Sequence, residues 1–406
     1  MRKLIALMLF APAAALGSGY TVPNVNPRDL ALVDSAVAAQ GDAAATFKNP
    51  SALSKIEGLQ LSLAGSILFL NQEWSATTAD LQSQSPESLQ RKPVPPVALF
   101  AAYGFDVAGM KAGVGVGVNI VGGANVYWDN GWAGRGRVID VERKVYGTYL
   151  TGGLELLEGI RIGGGLVYDY ATEYLKQGVQ PFPDAFAEIS AKGGGLGYDV
   201  SAEYTPLKGF PLTFGADYKH KTRMELKGNA HFSIPPAAAT TDPASVDQSA
   251  THLLTYPNTL DLGVAWRPVK PVQLTFGYTF QRYVVYRDDT FIGDKGFTVS
   301  VPRNYGNGHT FRLGAEWNTT QQLTLRAGVE RDLSGLKTDT YSPSLPDGNT
   351  WAYGAGADWK FSKELSLGGA LFLAPFDKLT STGTAAFPGS YKTSAFVASL
   401  GVVWRV

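Results

Sequence analysis

Histidine, cysteine and clustered carboxylates supply most of the acid, base and nucleophile chemistry of proteins, and this chain offers few of them. Its 406 residues include four histidines and no cysteine. Without cysteine there is no disulfide framework, no catalytic thiol and no thiolate-held zinc or iron–sulfur centre. His220, His231, His252 and His309 fall toward long loops with no nucleophile motif beside them, so they read as rim and loop residues rather than as the base of a hydrolase. There is no nucleotide-binding glycine loop and no redox centre. No cofactor, no metal and no enzymatic activity is expected. Arg161, Asp169, Glu203, Asp217, Asp261, Arg312, Glu316, Arg326 and Glu330 carry both signs and alternate with apolar residues, as balanced networks on one face of strands would. With 35 Lys and Arg against 35 Asp and Glu, there is no basic footprint for nucleic acid.

Strands must position these groups. Val272, Leu274, Phe276, Tyr278 and Phe280 occupy one phase, and Gln273, Thr275, Gly277, Thr279 and Gln281 the other. That is the period-two signature of a strand with two different faces. The pattern recurs through Phe311 and Trp317, Leu323 and Val329, and Trp351 and Trp359. Fourteen such segments are expected near residues 58–70, 96–107, 110–123, 144–156, 159–174, 190–205, 210–228, 253–267, 271–286, 308–318, 321–332, 349–361, 364–375 and 391–405. Many run ten residues or more, the length that crosses a bilayer at a tilt, whereas strands of a soluble sandwich are about half as long. Short connections alternate with long polar ones. An even number of strands with one short-turn rim and one long-loop rim predicts an all-β, 14-stranded antiparallel transmembrane β-barrel. The apolar phase then faces lipid, with Tyr168, Tyr170, Tyr204, Tyr218, Trp266, Trp317 and Trp359 as interface aromatics. The charged phase lines the lumen.

The N-terminal residues differ. Met1-Arg2-Lys3, an apolar stretch over residues 4–15, and the small residues Ala15 and Gly17 predict a signal peptide over residues 1–17, cut before Ser18. Residues 18–57 lack strand periodicity. They contain an Ala-rich, helix-like stretch over 29–39 and the turn Asn49-Pro50-Ser51. About forty residues suit a plug folded into a lumen that wall side chains alone cannot fill. Residues 58–406 would form the barrel.

On these residues the chain resembles the FadL/TodX-type outer-membrane transporters of long-chain fatty acids and other hydrophobic compounds. Ser18-Gly19-Tyr20 is similar to that family's small-Gly-aromatic N-terminus, and residues 41–53, with Phe47 before Asn49-Pro50-Ser51, resemble its hatch. Tyr256-Pro257, Leu345-Pro346-Asp347 and Gly389-Ser390-Tyr391 resemble its turns.

The resemblance implies a bacterial outer-membrane channel for fatty acids or hydrocarbons. Capture would be extracellular, with exit sideways into outer-membrane lipid through a gap at a kink in the third strand. It also implies that Asn49, Pro50 and Ser51 face that gap and that Ser18, Gly19 and Tyr20 form a mobile N-terminus. The paired glycines Gly122 and Gly123 are the kink candidate, since glycine inside a strand allows a bend or a lapse of pairing. A monomer is expected. Apolar loop residues available for capture are Phe182, Phe186, Phe232, Ile234, Phe291 and Phe297, with Arg287, Lys295 or Arg303 for a carboxylate. A general diffusion porin is the alternative, and it would need no plug. Three features depart from the family pattern. Ser51 stands where alanine is usual, the loop after residue 228 lacks an evident amphipathic helix, and the chain ends Trp404-Arg405-Val406 rather than on an aromatic.

Overall fold

The structure, a computed structural model, describes residues 19–23, 26–90, 92–206, 211–234, 243–381 and 386–406. The expected leader and Ser18 lie outside the described residues. Fourteen antiparallel strands form the wall. They are β1 (Gly58–Ser75), β2 (Val97–Val107), β3 (Met110–Tyr127), β4 (Asp140–Leu157), β5 (Ile160–Gly178), β6 (Phe186–Tyr204) and β7 (Leu212–Lys219 with Thr222–Ser233). The second half comprises β8 (Gln248–Tyr256 with Thr259–Val269), β9 (Val272–Gln281 with Asp288–Gly293), β10 (Thr298–Pro302 with Gly308–Asn318), β11 (Leu323–Leu333), β12 (Thr350–Lys360), β13 (Leu365–Pro375) and β14 (Ser390–Arg405). β14 pairs with β1 from Gln60↔Arg405 to Ser75↔Ser390 and closes the sheet. Closure leaves no strand edge for lipid, which offers no hydrogen bonds.

Side chains sort as the alternation requires. Leu150, Leu166, Leu313 and Leu371 stand outward and exposed, while Asp169, Glu203, Asp217 and Thr275 on the opposite phase are buried. Trp266, Trp317, Trp359 and Trp404 are each about half exposed beside the short-turn rim, where amphipathic rings settle at a membrane interface. Tyr168 and Tyr198 mark the other interface.

Beyond that second belt the wall continues farther than expected. β1, β3, β4, β5, β6, β7 and β8 each extend about four or five residues into the segments read as loops. There the outward residues are Arg223, Glu225 and Lys227. The apolar-polar contrast of a lipid-facing strand inverts there, Met224, Leu226 and Ala230 facing inward and buried, while the pairing persists. β7 and β8, expected to be continuous, break at His220-Lys221 and at Pro257-Asn258. The ladder of β9 with β10 is interrupted between Gln281 and Asp288, where a single 3-10 turn, Tyr283–Val285, carries Tyr283 and Tyr286 inside.

Inside the wall lie residues 26–57. The expected helix over 29–39 shrinks to α1 (Pro27–Ala31), started by Asn26 Oδ1 accepting from Arg28 N at 3.0 Å. It stops because Val33 and Asp34 adopt positive φ, 47° and 61°, which an α-helix cannot contain. α2 (Ala45–Lys48) and a 3-10 turn over Pro50–Lys55 follow. This segment rests on a ring of lumen-facing glycines. A Cβ on Gly104 of β2 would lie 1.7 Å from Ile56 O, one on Gly163 of β5 2.2 Å from Ser51 N, and one on Gly354 of β12 2.5 Å from Leu30 O. Gly215 of β7 and Gly328 of β11 approach Ala38 and Leu32 in the same way. Main chain therefore packs on main chain around the circumference, which only glycine permits.

Candidate functional site

The upper edge of β3 is where the wall ladder lapses. β2 and β3 pair from Val107↔Met110 to Ala98↔Asn119 and no further. β4 follows β3 upward past a bulge at Val121, the register passing from Ile120↔Tyr146 to Gly122↔Val145. A bulge re-aims the strand. The free β3 edge is met instead at Val121–Gly123 by the N-terminal residues and, higher, by the β1–β2 connection, where Gln90 N donates to Tyr127 O at 2.8 Å. Val22 N donates to Val121 O at 3.0 Å, Gly123 N donates to Tyr20 O at 2.7 Å, and Thr21 bridges Gly122. Every residue from Asn119 to Val126 is buried, in contrast to Val114 and Val116 just below, which are about half exposed.

Tyr20 anchors this contact. Its ring is fully buried and makes edge contacts with Tyr256, Tyr283 and Tyr286, at centroid distances of 5.8, 5.9 and 5.1 Å. Its hydroxyl donates to Thr255 O, and Thr21 Oγ1 bonds the Tyr283 hydroxyl. Gly19 has φ 73°, and a Cβ there would lie 2.5 Å from the Tyr283 ring, so the position requires glycine. Its N–H donates to Asp347 Oδ2 at 2.8 Å. Burial pushes the Asp347 carboxyl up to about 7, outweighing the donors of Ser334, Gly19 and Gly348. Burial likewise pushes the Tyr20 hydroxyl well above its ordinary value, with Tyr283 and Tyr286 adding to it. Tyr20 is therefore a neutral donor at physiological pH.

Below Tyr20 is a cavity of about 100 Å³ between the N-terminal residues and the inner segment, lined on its apolar side by Val22, Phe47, Val121, Tyr149 and Tyr256. Phe47 makes an edge contact with Tyr149 at 5.2 Å and sits under Lys219 Nζ at 4.9 Å. The cations facing the cavity are committed. Lys48 lies 2.9 Å from Asp34, Arg312 2.6 Å from Glu330, and Lys219 against Asp217 and Asp199. Above Tyr20 a second network crosses the lumen. Arg143 of β4 bonds Glu173 of β5 and Asp289 of β9, Arg303 bonds Asp289 at 2.9 Å, and His252 of β8 lies 2.7 Å from Glu173. Higher still, Trp128 stacks on Trp132 at 4.1 Å, with Trp74 and Phe387 closing the group.

The structure thus brings Gly19, Tyr20, Gly122 and Gly123 together, with Phe47 below them. Asn49, Pro50 and Ser51 sit elsewhere. Instead of facing the β3 bulge, the turn rests on Gly153 of β4 and Gly163 of β5, with Ser51 N donating to Ser201 Oγ of β6 at 2.9 Å. Asn49 Nδ2 donates to Val37 O at 2.8 Å, and Ser51 Oγ donates to Asn49 Oδ1 at 2.6 Å. The extra hydroxyl at position 51 thereby has a partner. His252 is not a rim residue; it is buried in the lumen between two carboxylates. Of the loop aromatics, Phe291 and Phe297 are buried together, with Phe232 edge-on to Phe297 at 5.1 Å. Arg303 is taken up by Asp289. The tyrosine cage and the tryptophan group were not singled out from sequence. A signal for the cage existed at Arg282, where a charge enters the apolar phase of β9 and Val284-Val285 breaks the alternation.

A sequence profile described as outer membrane protein transport protein (OMPP1/FadL/TodX) matches residues 8–405. The chain belongs to this family. As an OMPP1/FadL/TodX protein it is a channel of the bacterial outer membrane for hydrophobic compounds and not an enzyme. It is 23% identical to outer membrane protein P1 of Haemophilus influenzae, over 90% of this chain and 87% of that one. Its fold is similar to that of a Pseudomonas aeruginosa FadL homologue, with a TM-score of 0.82 at 19% identity over 96% and 100% of the two chains. The Pseudomonas putida toluene transporter TodX gives 0.72 at 15% identity, over 90% and 94%.

Proposed function

We propose that the channel passes small, uncharged hydrophobic compounds from the extracellular face to the outer leaflet, leaving sideways between β2 and β3. In this reading residues 1–17 are the signal peptide, 18–57 the plug and 58–406 the barrel, and one copy suffices. The observation that carries it is the β3 edge above Asn119, which β2 leaves unpaired and the main chain of Tyr20–Val22 covers. Withdrawing that segment breaks a few hydrogen bonds worth about 1 kcal/mol each and unseats the Tyr20 ring, a cost that a hydrophobe taking the ring's place can offset. A compound would gather at the Trp128 group, pass the tyrosine cage, and occupy the cavity above Phe47.

Two features favour small uncharged compounds over the long-chain fatty acid expected from the resemblance. The cavity of about 100 Å³ is smaller than the roughly 150 Å³ that holds benzene, so even one ring needs Tyr20 to move. Lys48, Lys219 and Arg312 already face carboxylates, so a fatty acid head group would find no uncommitted cation. TodX, a toluene transporter by name, fits the same reading. Lateral delivery also keeps the compound dry, since each methylene returned to water costs about 0.8 kcal/mol.

The test is uptake of labelled toluene and labelled oleate by liposomes holding the purified protein. Toluene uptake is expected to exceed oleate uptake and to stop when the N-terminal segment is cross-linked to β3. Uptake that survives a verified cross-link overturns the lateral route, and preferential oleate uptake overturns the substrate class. A steady open-pore ion conductance would instead favour the porin alternative.

A further inference from the structure

A second, polar cavity of about 230 Å³ opens at the short-turn end, between α1 of the inner segment and the wall from β8 to β14. Five cations line it, Arg28, Arg267, Arg326, Lys360 and Arg405, against three carboxylates, Asp42, Glu316 and Asp358. Arg326 engages both Glu316 and Asp358, and Arg28 lies 3.5 Å from Glu316. Asp42 caps the main chain, accepting from Ala44 N at 2.9 Å.

That leaves three cations without a carboxylate partner among the described residues. Arg267 donates to Gln273 Oε1 at 2.5 Å and Arg405 to Ser366 Oγ at 3.2 Å, and Lys360 has no ion pair. Arg28 Nη1, on the inner segment, is buried 3.7 Å from Asp29 Oδ1 with no acceptor at hydrogen-bond distance. Elsewhere along the lumen the contrast is clear, because Lys55, Arg143, Arg161, Lys219 and Arg312 each face a carboxylate. On the β5–β6 side of this same rim, Arg161 is held between Glu155 and Glu203. Against those paired cations, this cavity keeps more positive than negative groups.

We propose that this cavity is a binding site for a phosphate-type oxyanion, which ties Arg28 of the inner segment to Lys360 and Arg405 of the wall. Guanidinium groups match such an anion through paired N–H donors, and lysine adds a point charge. Seated there, the anion neutralises the surplus and fixes the inner segment from the periplasmic side. The site is far along the lumen from the β3 edge and shares no residue with the proposed exit, so it stands independently of that reading.

The test is calorimetric titration of the detergent-solubilised full-length protein with inorganic phosphate and, separately, glycerol 3-phosphate, at ionic strength matched with chloride. Saturable binding is expected at millimolar concentration or below. Lys360→Gln with Arg405→Gln should weaken it about tenfold or more, ~1.4 kcal/mol, whereas Lys227→Gln on the outer face should leave it unchanged. Tighter binding of the ester would identify an organic phosphate as the ligand, and equal binding the free anion. Absence of saturable heat with both probes, or equal affinity in the parent and the folded double variant, would overturn the site. Retained β-sheet circular dichroism verifies folding.

Discussion

The inner segment meets the wall in two unlike ways. Along residues 26–57 it lies main chain against main chain on glycines such as Gly104, Gly163 and Gly354, with no side chain to slide or rotate. At Gly19–Val22 it is held by a few hydrogen bonds to one strand edge and by an aromatic cage. The first contact is stiff because any displacement drives backbone into backbone. The second can open, since rings can repack and an unpaired edge tolerates loss of its cover. One segment thus combines a main-chain seat with a lightly held edge contact, or latch, and the difference predicts motion at Tyr20 rather than along residues 26–57.

The comparison breaks most severely at the seat. Gly104→Leu puts a side chain where Ile56 O stands 1.7 Å from the Cβ position, and overpacking of this kind costs about 1–3 kcal/mol or more. The expected outcome is a barrel with a displaced plug and steady ion conductance, read in planar bilayers. At the latch, Tyr20→Ala removes a fully buried ring, a change worth about 3–5 kcal/mol in a packed core. Here the barrel should keep its thermal stability while toluene uptake rises and the Gly123 amide loses protection in hydrogen exchange. Unchanged protection would remove Tyr20 from the latch. A smaller effect is expected for Asn49→Ala, which loses the bonds to Val37 O and Ser51 Oγ, about 1–3 kcal/mol. It should lower the melting temperature by a few degrees with little change in uptake, because that turn rests on β4, β5 and β6 and not on the β3 edge.

The smallest effect on uptake concerns pH at the latch. Folding raises the Asp347 carboxyl to about 7, above its unfolded value near 4. Its contribution to stability is therefore fully present below about pH 4 and is lost as pH rises through about 7. Asp347→Asn should flatten that part of the profile, measured as melting temperature at pH 5 and pH 8. Retention of the parent slope in the variant would assign the titration to another group.

Much of the wall was legible because the two faces of a lipid-bound strand differ in every second residue. The short-turn rim and the strands within the bilayer follow directly from that period. Above the Tyr168 and Tyr198 belt the faces exchange character, with Arg223, Glu225 and Lys227 outward and Met224, Leu226 and Ala230 inward, so the lipid-facing pattern carries neither to the start of β6 at Phe186 nor to the end of β7 at Ser233. The ring of glycines was visible as a set, Gly277, Gly314, Gly328 and Gly354 all lying in the polar phase. Its purpose depends on which residues lie opposite, which a one-dimensional pattern does not carry. The same holds for Asn49-Pro50-Ser51, whose motif specifies a turn but not the strands it touches. Residues 29–39 looked helical by composition, and only the packing of Leu32 and Val33 against Gly328 accounts for the chain turning away after Ala31.

The glycine seat also bears on how the molecule is made. With backbone resting on backbone at glycines from β2 around to β12, a finished inner segment has little room to be threaded into a finished cylinder. The long seam between β1 and β14 is then expected to zip last, wrapping the staves around a segment that emerges from the ribosome before any of them. The inner segment is then a mandrel for the barrel, and a variant in which it seats poorly should close its barrel more slowly than the parent.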